Sequence, residues 1–300
     1  MKIISFLKKN TKISIDSAEI LYIKKYKFDS ITSNPSLILL SILNKSFNKI
    51  MINFMLNLNK KIILDSDYEI SYYDYLLIFI AGNIIRYIKD NVSLEIPARI
   101  SFNYKKIIIY AKKIIYLCNL FGIDDKKILI KIPATNAGIL AASKLKVLGI
   151  ECNLTLIFDI IQVKKCFENG IFLISPFVGR ISDSLLCKYD SGVNFVKNIY
   201  EYKKKFNFKT KIMAASFRNI NQILNLYFCD YLTISPKFFD QILKKKLNIN
   251  IYKNIIFNNK KNITNLNYYS NKLLINGIKQ FEIDHNNLIN LLSLIINNIK

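Results

Sequence analysis

The chain has 300 residues, 51% of them hydrophobic, which is enough to bury one large core, and its formal net charge is +23. A charge of that size implies nucleic acid or anionic lipid when it is gathered in one block, but here four of the 44 basic residues are arginines (Arg86, Arg99, Arg180, Arg218) and the other 40 are lysines spread along the chain. Solvated faces therefore account for it, and no specific nucleic-acid partner is expected.

His285 is the only histidine, which excludes zinc sites built on several histidines and argues against a Ser-His-Asp triad. Five cysteines, Cys118, Cys152, Cys166, Cys187 and Cys229, form no C-x-x-C pair, and the odd number fits a reduced, cytoplasmic setting.

In chain order, MKIISFLKKNTK has a basic start at Lys2, but its apolar run is too short for a signal-peptide core and no small-residue cleavage site follows. KISID (12–16) and FDSITS (28–33) are strand candidates, and PSLILLSILNKSFNKI (35–50) has the pattern of an amphipathic helix. LLIFIAGNII (76–85) falls well short of the roughly 18 residues a membrane span needs, and Asn83 interrupts it, so a buried core helix and no membrane partner are expected. SLEIPARI (93–100) is a third strand candidate, in which Pro97 removes a ladder donor and marks a bulge or the end of pairing.

NYKKIIIYAKKIIYLCNLFG (103–122) is a helical pattern, followed by the strand candidate ILIKIPA (128–134) and a further helix, AGILAASKLKVLG (137–149). ECNLTLIF (151–158), FLISPFVG (172–179), KIMAASFR (211–218) and YLTISP (231–236) complete eight strand candidates, with NIYEYKKKF (198–206) helical between the sixth and seventh. Eight βα units over residues 1–300 predict an α/β fold of one domain, a (β/α)8 TIM barrel. HNNLINLLSLIINNIK (285–300) lies outside the repeat, as an additional C-terminal helix packed across the barrel surface.

Active sites in this architecture gather at the C-terminal strand ends. Polar residues do occur late in the strands: Asp16, Asn34 just after the second, Glu95, Lys131, Asn153 with Thr155 on one face, Ser175, Arg180 at the sixth exit, Ser216 and Arg218. Lys131 stands out inside the apolar run ILIKIPAT. A buried ammonium is costly unless paired or deprotonated, so Lys131 either ends a strand with its head in water or is a neutral amine able to attack a carbonyl carbon.

FDSITSNPSLIL and ILIKIPATNAGILAASKL resemble the two signature segments of transaldolases, and CNLTLIF, LISPFVGRISD, MAASFRN and CDYLTISP resemble that family's later strands in the same order. The resemblance runs from about Ser14 to FEIDHNNL. It implies a Schiff-base enzyme with no cofactor and no metal, moving a dihydroxyacetone unit between sugar phosphates in the pentose phosphate pathway. In that reaction sedoheptulose 7-phosphate and glyceraldehyde 3-phosphate give erythrose 4-phosphate and fructose 6-phosphate.

By the same resemblance Lys131 is the Schiff-base lysine and Asp16 the general base, and Glu95 with Thr155 holds a water for carbinolamine dehydration. Asn34, Asn153 and Ser175 orient the dihydroxyacetone hydroxyls, and Arg180, Ser216 and Arg218 clamp the phosphate. Arginine at two strand exits, in a chain that otherwise uses lysine, suits bidentate oxyanion contacts.

Phe177 and Glu95 favour transfer, since the similar fructose-6-phosphate aldolases carry tyrosine in place of the former and lack the latter. Two alternatives stay open: a lyase of that aldolase type, and a basic binding or scaffold barrel with weakened catalysis. The sequence also leaves a homodimer open.

Overall fold

Eight strands pair in parallel, each with its neighbour in the chain, and the eighth returns to the first to close the ring. The computed structural model describes residues 2–43, 51–53, 69–184, 190–246 and 267–297. The strands are β1 (Lys12–Asp16), β2 (Ser30–Thr32), β3 (Val92–Glu95), β4 (Ile128–Pro133), β5 (Cys152–Ile157), β6 (Leu173–Pro176), β7 (Lys211–Ala214) and β8 (Tyr231–Ile234). This is the expected barrel, with strands shorter than the apolar runs that signalled several of them. Pro97 ends pairing on β3, because the chain turns there into a short 3-10 segment, Ala98–Ile100.

The helices are α1 (Ile3–Asn10), α2 (Ile20–Tyr26), α3 (Pro35–Ile42), α4 (Tyr72–Ile84), α5 (Tyr104–Leu120) and α6 (Asn136–Val147), then α7 (Ile160–Glu168), α8 (Val178–Ser184), α9 (Ser191–Lys205), α10 (Ile220–Asn225), α11 (Pro236–Lys244) and α12 (Asn267–Asn297). Residues 44–50 of the helix expected over 35–50, residues 298–300 of the last one, and Cys187 lie outside the described residues. The other four cysteines are free and buried. Among the described residues, no helix is long and apolar enough to cross a membrane. The apolar run 76–85 lies largely in α4 and is mostly buried, as its composition requires.

Strand side chains alternate between the barrel interior and the helical shell. On β4, Ile128, Ile130 and Ile132 join the main core, whereas Leu129 packs inside with Leu173 of β6, Met213 of β7 and Tyr231 of β8. Each fully buried aliphatic side chain contributes about 1.5–3 kcal/mol. One step further along the interior the residues turn polar, with Ser93, Asn153 and Ser175, and above them Asp16, Thr32, Lys131 and Thr155.

Local sequence fixes the helix starts at this end. Asn34 caps α3 by accepting from the Leu37 N–H at 3.0 Å, with Pro35 in the first turn, and Thr135 caps α6 by accepting from the Gly138 N–H at 2.9 Å. Gly138 is required there, since an added Cβ would lie 2.3 Å from the Pro133 carbonyl oxygen.

Candidate active site

The C-terminal mouth of the barrel encloses a cavity of about 240 Å³. Its floor and walls include Asp16, Thr32, Asn34, Lys131, Thr155, Ser175 and Phe177, and its far end holds Arg180, Ser216 and Arg218. Most of the polar residues singled out in the sequence thus meet in one space. Glu95 and Asn153 do not line it; both lie behind the wall.

Glu95 and Lys131 are register partners on β3 and β4, so their side chains rise side by side. Lys131 Nζ lies 3.0 Å from Glu95 Oε2 and donates to the Ser33 carbonyl oxygen at 2.9 Å. The lysine is 4% exposed and its head does not reach bulk water, which removes the strand-end reading of this residue. Burial pushes the Glu95 carboxyl above the usual carboxylate range, with Lys131 pulling in the opposite direction.

Asp16, at the end of β1, accepts from Thr32 Oγ1 at 2.8 Å, and Thr32 Oγ1 lies 2.6 Å from Thr233 Oγ1 across the closing seam of the barrel. Burial raises the Asp16 carboxyl too; Lys131 and the Thr32 hydrogen bond oppose it without cancelling it. Two carboxyls poised to take up protons therefore flank one amine.

Asn153 is fixed from both sides, donating to Ser93 Oγ at 3.1 Å and accepting from Ser175 Oγ at 2.7 Å. Ser175 lines the cavity, so Asn153 reaches it through that hydroxyl. Asn34 uses its carbonyl oxygen on the α3 cap, and its amide nitrogen has no protein partner among the described residues. The same holds for the buried Thr155 Oγ1, which lines the cavity, and for Glu95 Oε1, on the carboxyl paired with Lys131.

At the far end the two arginines differ. Arg218 is gripped by Asp183, with Nε at 2.8 Å and Nη2 at 2.7 Å, and its Nη1 lies 3.4 Å from Ser216 Oγ. Ser216 adopts φ +61°, a left-handed conformation that costs a non-glycine residue of order 1 kcal/mol and sets the seventh strand exit. Arg180 lies with its guanidinium carbon 5.3 Å from the Phe177 ring centre and 5.7 Å from that of Phe281. Phe177 in turn meets Phe158 edge to face.

The sequence reading did not include Ser36, Phe217, Ser235, Phe238 or Phe281, all of which line the cavity. Phe281 comes from α12, which packs against α3 and β5; Ser36 donates to Asp284 on that helix. His285, which the sequence shows in a polar stretch, is buried on α12, with Nε2 3.2 Å from Arg99 Nη1 and its ring against Tyr73. Tyr73 OH donates to the Glu95 carbonyl oxygen at 3.2 Å, so α12 is connected to the strand that carries the ion pair.

The family model described as Transaldolase/Fructose-6-phosphate aldolase matches residues 13–292. A transaldolase of Wigglesworthia glossinidia brevipalpis is 43% identical over 255 residues, covering 82% of this chain and 80% of that protein. The transaldolase of Buchnera aphidicola subsp. Cinara cedri (strain Cc) is 42% identical over 82% of this chain and 80% of its own length. That of Buchnera aphidicola subsp. Acyrthosiphon pisum (strain Tuc7) is also 42% identical, over 84% and 81%.

Proposed function

Because the chain belongs to the transaldolase/fructose-6-phosphate aldolase family and is an enzyme of the transaldolase type, we propose that it carries a dihydroxyacetone unit between sugar phosphates as a Schiff base on Lys131. The observation that carries this reading is the buried Lys131 amine at the foot of the cavity, with Glu95 at 3.0 Å and Asp16 on the neighbouring wall.

Glu95 takes a proton from Lys131, which its burial-raised carboxyl favours, and the freed amine adds to the C2 carbonyl of a ketose phosphate. The carbinolamine then loses its hydroxyl as water; the proton returns from Glu95 through a water held by Thr155, whose hydroxyl has no protein partner among the described residues. Asp16 next accepts the proton of the C4 hydroxyl. The C3–C4 bond breaks, its electron pair flows into the iminium, and an aldose phosphate departs from an enamine that stays on Lys131. Addition of that enamine to a second aldose phosphate, followed by the same steps in reverse, completes the transfer.

Asn34 and Ser175 hold the hydroxyls of the three-carbon unit, with Asn153 steering Ser175. Arg180, Arg218 and Ser216 receive the phosphate at the other end of the sugar. No metal and no cofactor enters these steps, since the iminium is the electron sink. A cytoplasmic place in the pentose phosphate pathway belongs to the same reading, supported by the name the relatives carry.

Borohydride reduction in the presence of fructose 6-phosphate tests it, because it converts the iminium to a stable secondary amine. The adduct should map to Lys131 alone. Labelling distributed over surface lysines, or no adduct with active enzyme, would reject the assignment.

A further inference from the structure

Among the described residues, Asp183, Glu95, Asp284 and Arg218 act electrostatically on Arg180, and each is engaged elsewhere. Asp183 is held by two nitrogens of Arg218, and Glu95 pairs with Lys131. Both oxygens of Asp284 are occupied, one by Ser36 Oγ and the other by Gln280 Nε2 at 3.1 Å. Arg218 is itself a cation and repels it. Among the described residues no side chain or carbonyl forms an ion pair or hydrogen bond with the Arg180 guanidinium; what it touches is the ring of Phe177 and the ring of Phe281.

A carboxylate partner would orient a guanidinium but neutralise it. Aromatic faces orient the plane through cation–π attraction and dispersion, and they leave the five N–H donors and the full charge for a ligand. One of the two rings, Phe281, is supplied by α12 and not by a barrel strand. The approach of that helix depends on Gly277, where an added Cβ would lie 3.1 Å from Arg180 Nη1 and 2.9 Å from Leu156 Cδ2.

We propose that Phe281 is a positioning residue which, with Phe177, clamps the Arg180 guanidinium, and that α12 thereby sets the preference for phosphorylated over unphosphorylated sugars. The inference rests on the reading that Arg180 receives the substrate phosphate. Phe281 touches no reacting atom; it acts through Arg180.

The test uses the full chain, with erythrose 4-phosphate and erythrose as competing acceptors at one fixed donor concentration and inorganic phosphate as an inhibitor. In Phe281→Leu the ratio of kcat/KM for the phosphorylated acceptor to that for the unphosphorylated one should fall by roughly three- to tenfold, the scale of one cation–π contact. The inhibition constant of inorganic phosphate should rise by a similar factor. Phe281→Tyr, which keeps the ring, should restore both, and Gly277→Ala should lower the ratio even if Phe281→Leu fails to fold.

Equal losses with the two acceptors would show a merely structural role and overturn the proposal. Arg180→Ala separates the two levels of inference. If it leaves the ratio unchanged while Lys131 is still trapped, the phosphate reading of Arg180 fails. If it collapses the ratio while Phe281→Leu does not alter it, only the clamp fails.

Discussion

Glu95 and Lys131 stand opposite each other in the β3–β4 register, and their head groups meet 3.0 Å apart with neither exposed by more than 4%. A buried pair of this kind is held by mutual neutralisation, and removing one member leaves the other uncompensated. Lys131→Ala should therefore abolish the borohydride adduct and lower turnover by more than roughly 10³-fold, as loss of a covalent nucleophile does. Mass spectrometry of the trapped protein and a coupled assay read both effects; residual turnover near wild type would move the nucleophile elsewhere.

Asp16 carries a carboxyl raised by burial, so its charged form costs stability in the folded protein. A raised acid contributes stability that is complete below its unfolded value of 3.8 and is lost as pH climbs through the folded value. Asp16→Asn should thus stabilise the fold at pH 7 by about 1 kcal/mol, with the gain shrinking towards pH 3.8, while transfer falls by roughly 10²–10⁴-fold. Urea unfolding at the two pH values measures the first effect, and equal differences at both would contradict it.

His285 shows the opposite sign. Burial and the neighbouring Arg99 depress its imidazole from 6.5 to about 4, against a weaker opposing pull from Asp74. A depressed base favours the fold above its unfolded value, and that contribution disappears as pH falls from 6.5 to about 4, by up to about 3 kcal/mol. His285→Gln, which keeps an acceptor for Arg99, should lose less stability over that window than the wild type. The difference between the two proteins is the quantity to measure, because Asp16 and Glu95 act in the other direction over part of the same range; parallel curves would rule out His285 as the titrating group.

Phe177 presents an apolar ring to the same cavity as the amine that would hold the enamine. A phenol at that position would add a donor able to order or activate water beside the intermediate. Phe177→Tyr should therefore raise acceptor-independent release of dihydroxyacetone from fructose 6-phosphate and lower transfer to erythrose 4-phosphate. The ratio of these two rates checks it; an unchanged ratio in a folded, trappable variant would place the control with Glu95 and Thr155.

The barrel was legible because its signals are local. Alternation on β4 and β5, Asn34 with Pro35, and Thr135 before α6 each announce an element through neighbours a few residues away. The polar strand ends were legible for the same reason. The Lys131–Glu95 contact was not, since it depends on the register between two strands whose pairing no local pattern encodes. Phe281 and His285 were further out of reach: an aromatic and an imidazole on a long amphipathic helix look alike whether they face solvent, core or cavity. Only the packing of α12 against α3, Arg99 and Tyr73 distinguishes them.

The hydroxyls of Thr32 and Thr233 touch across the closing seam although they stand 201 residues apart in the chain. A ribosome emits β1 long before β8, so during synthesis the edge of β1 that β8 covers in the finished barrel has no partner strand. The burial that raises the Asp16 carboxyl belongs to the closed ring, which is complete only when the last strand pairs with the first.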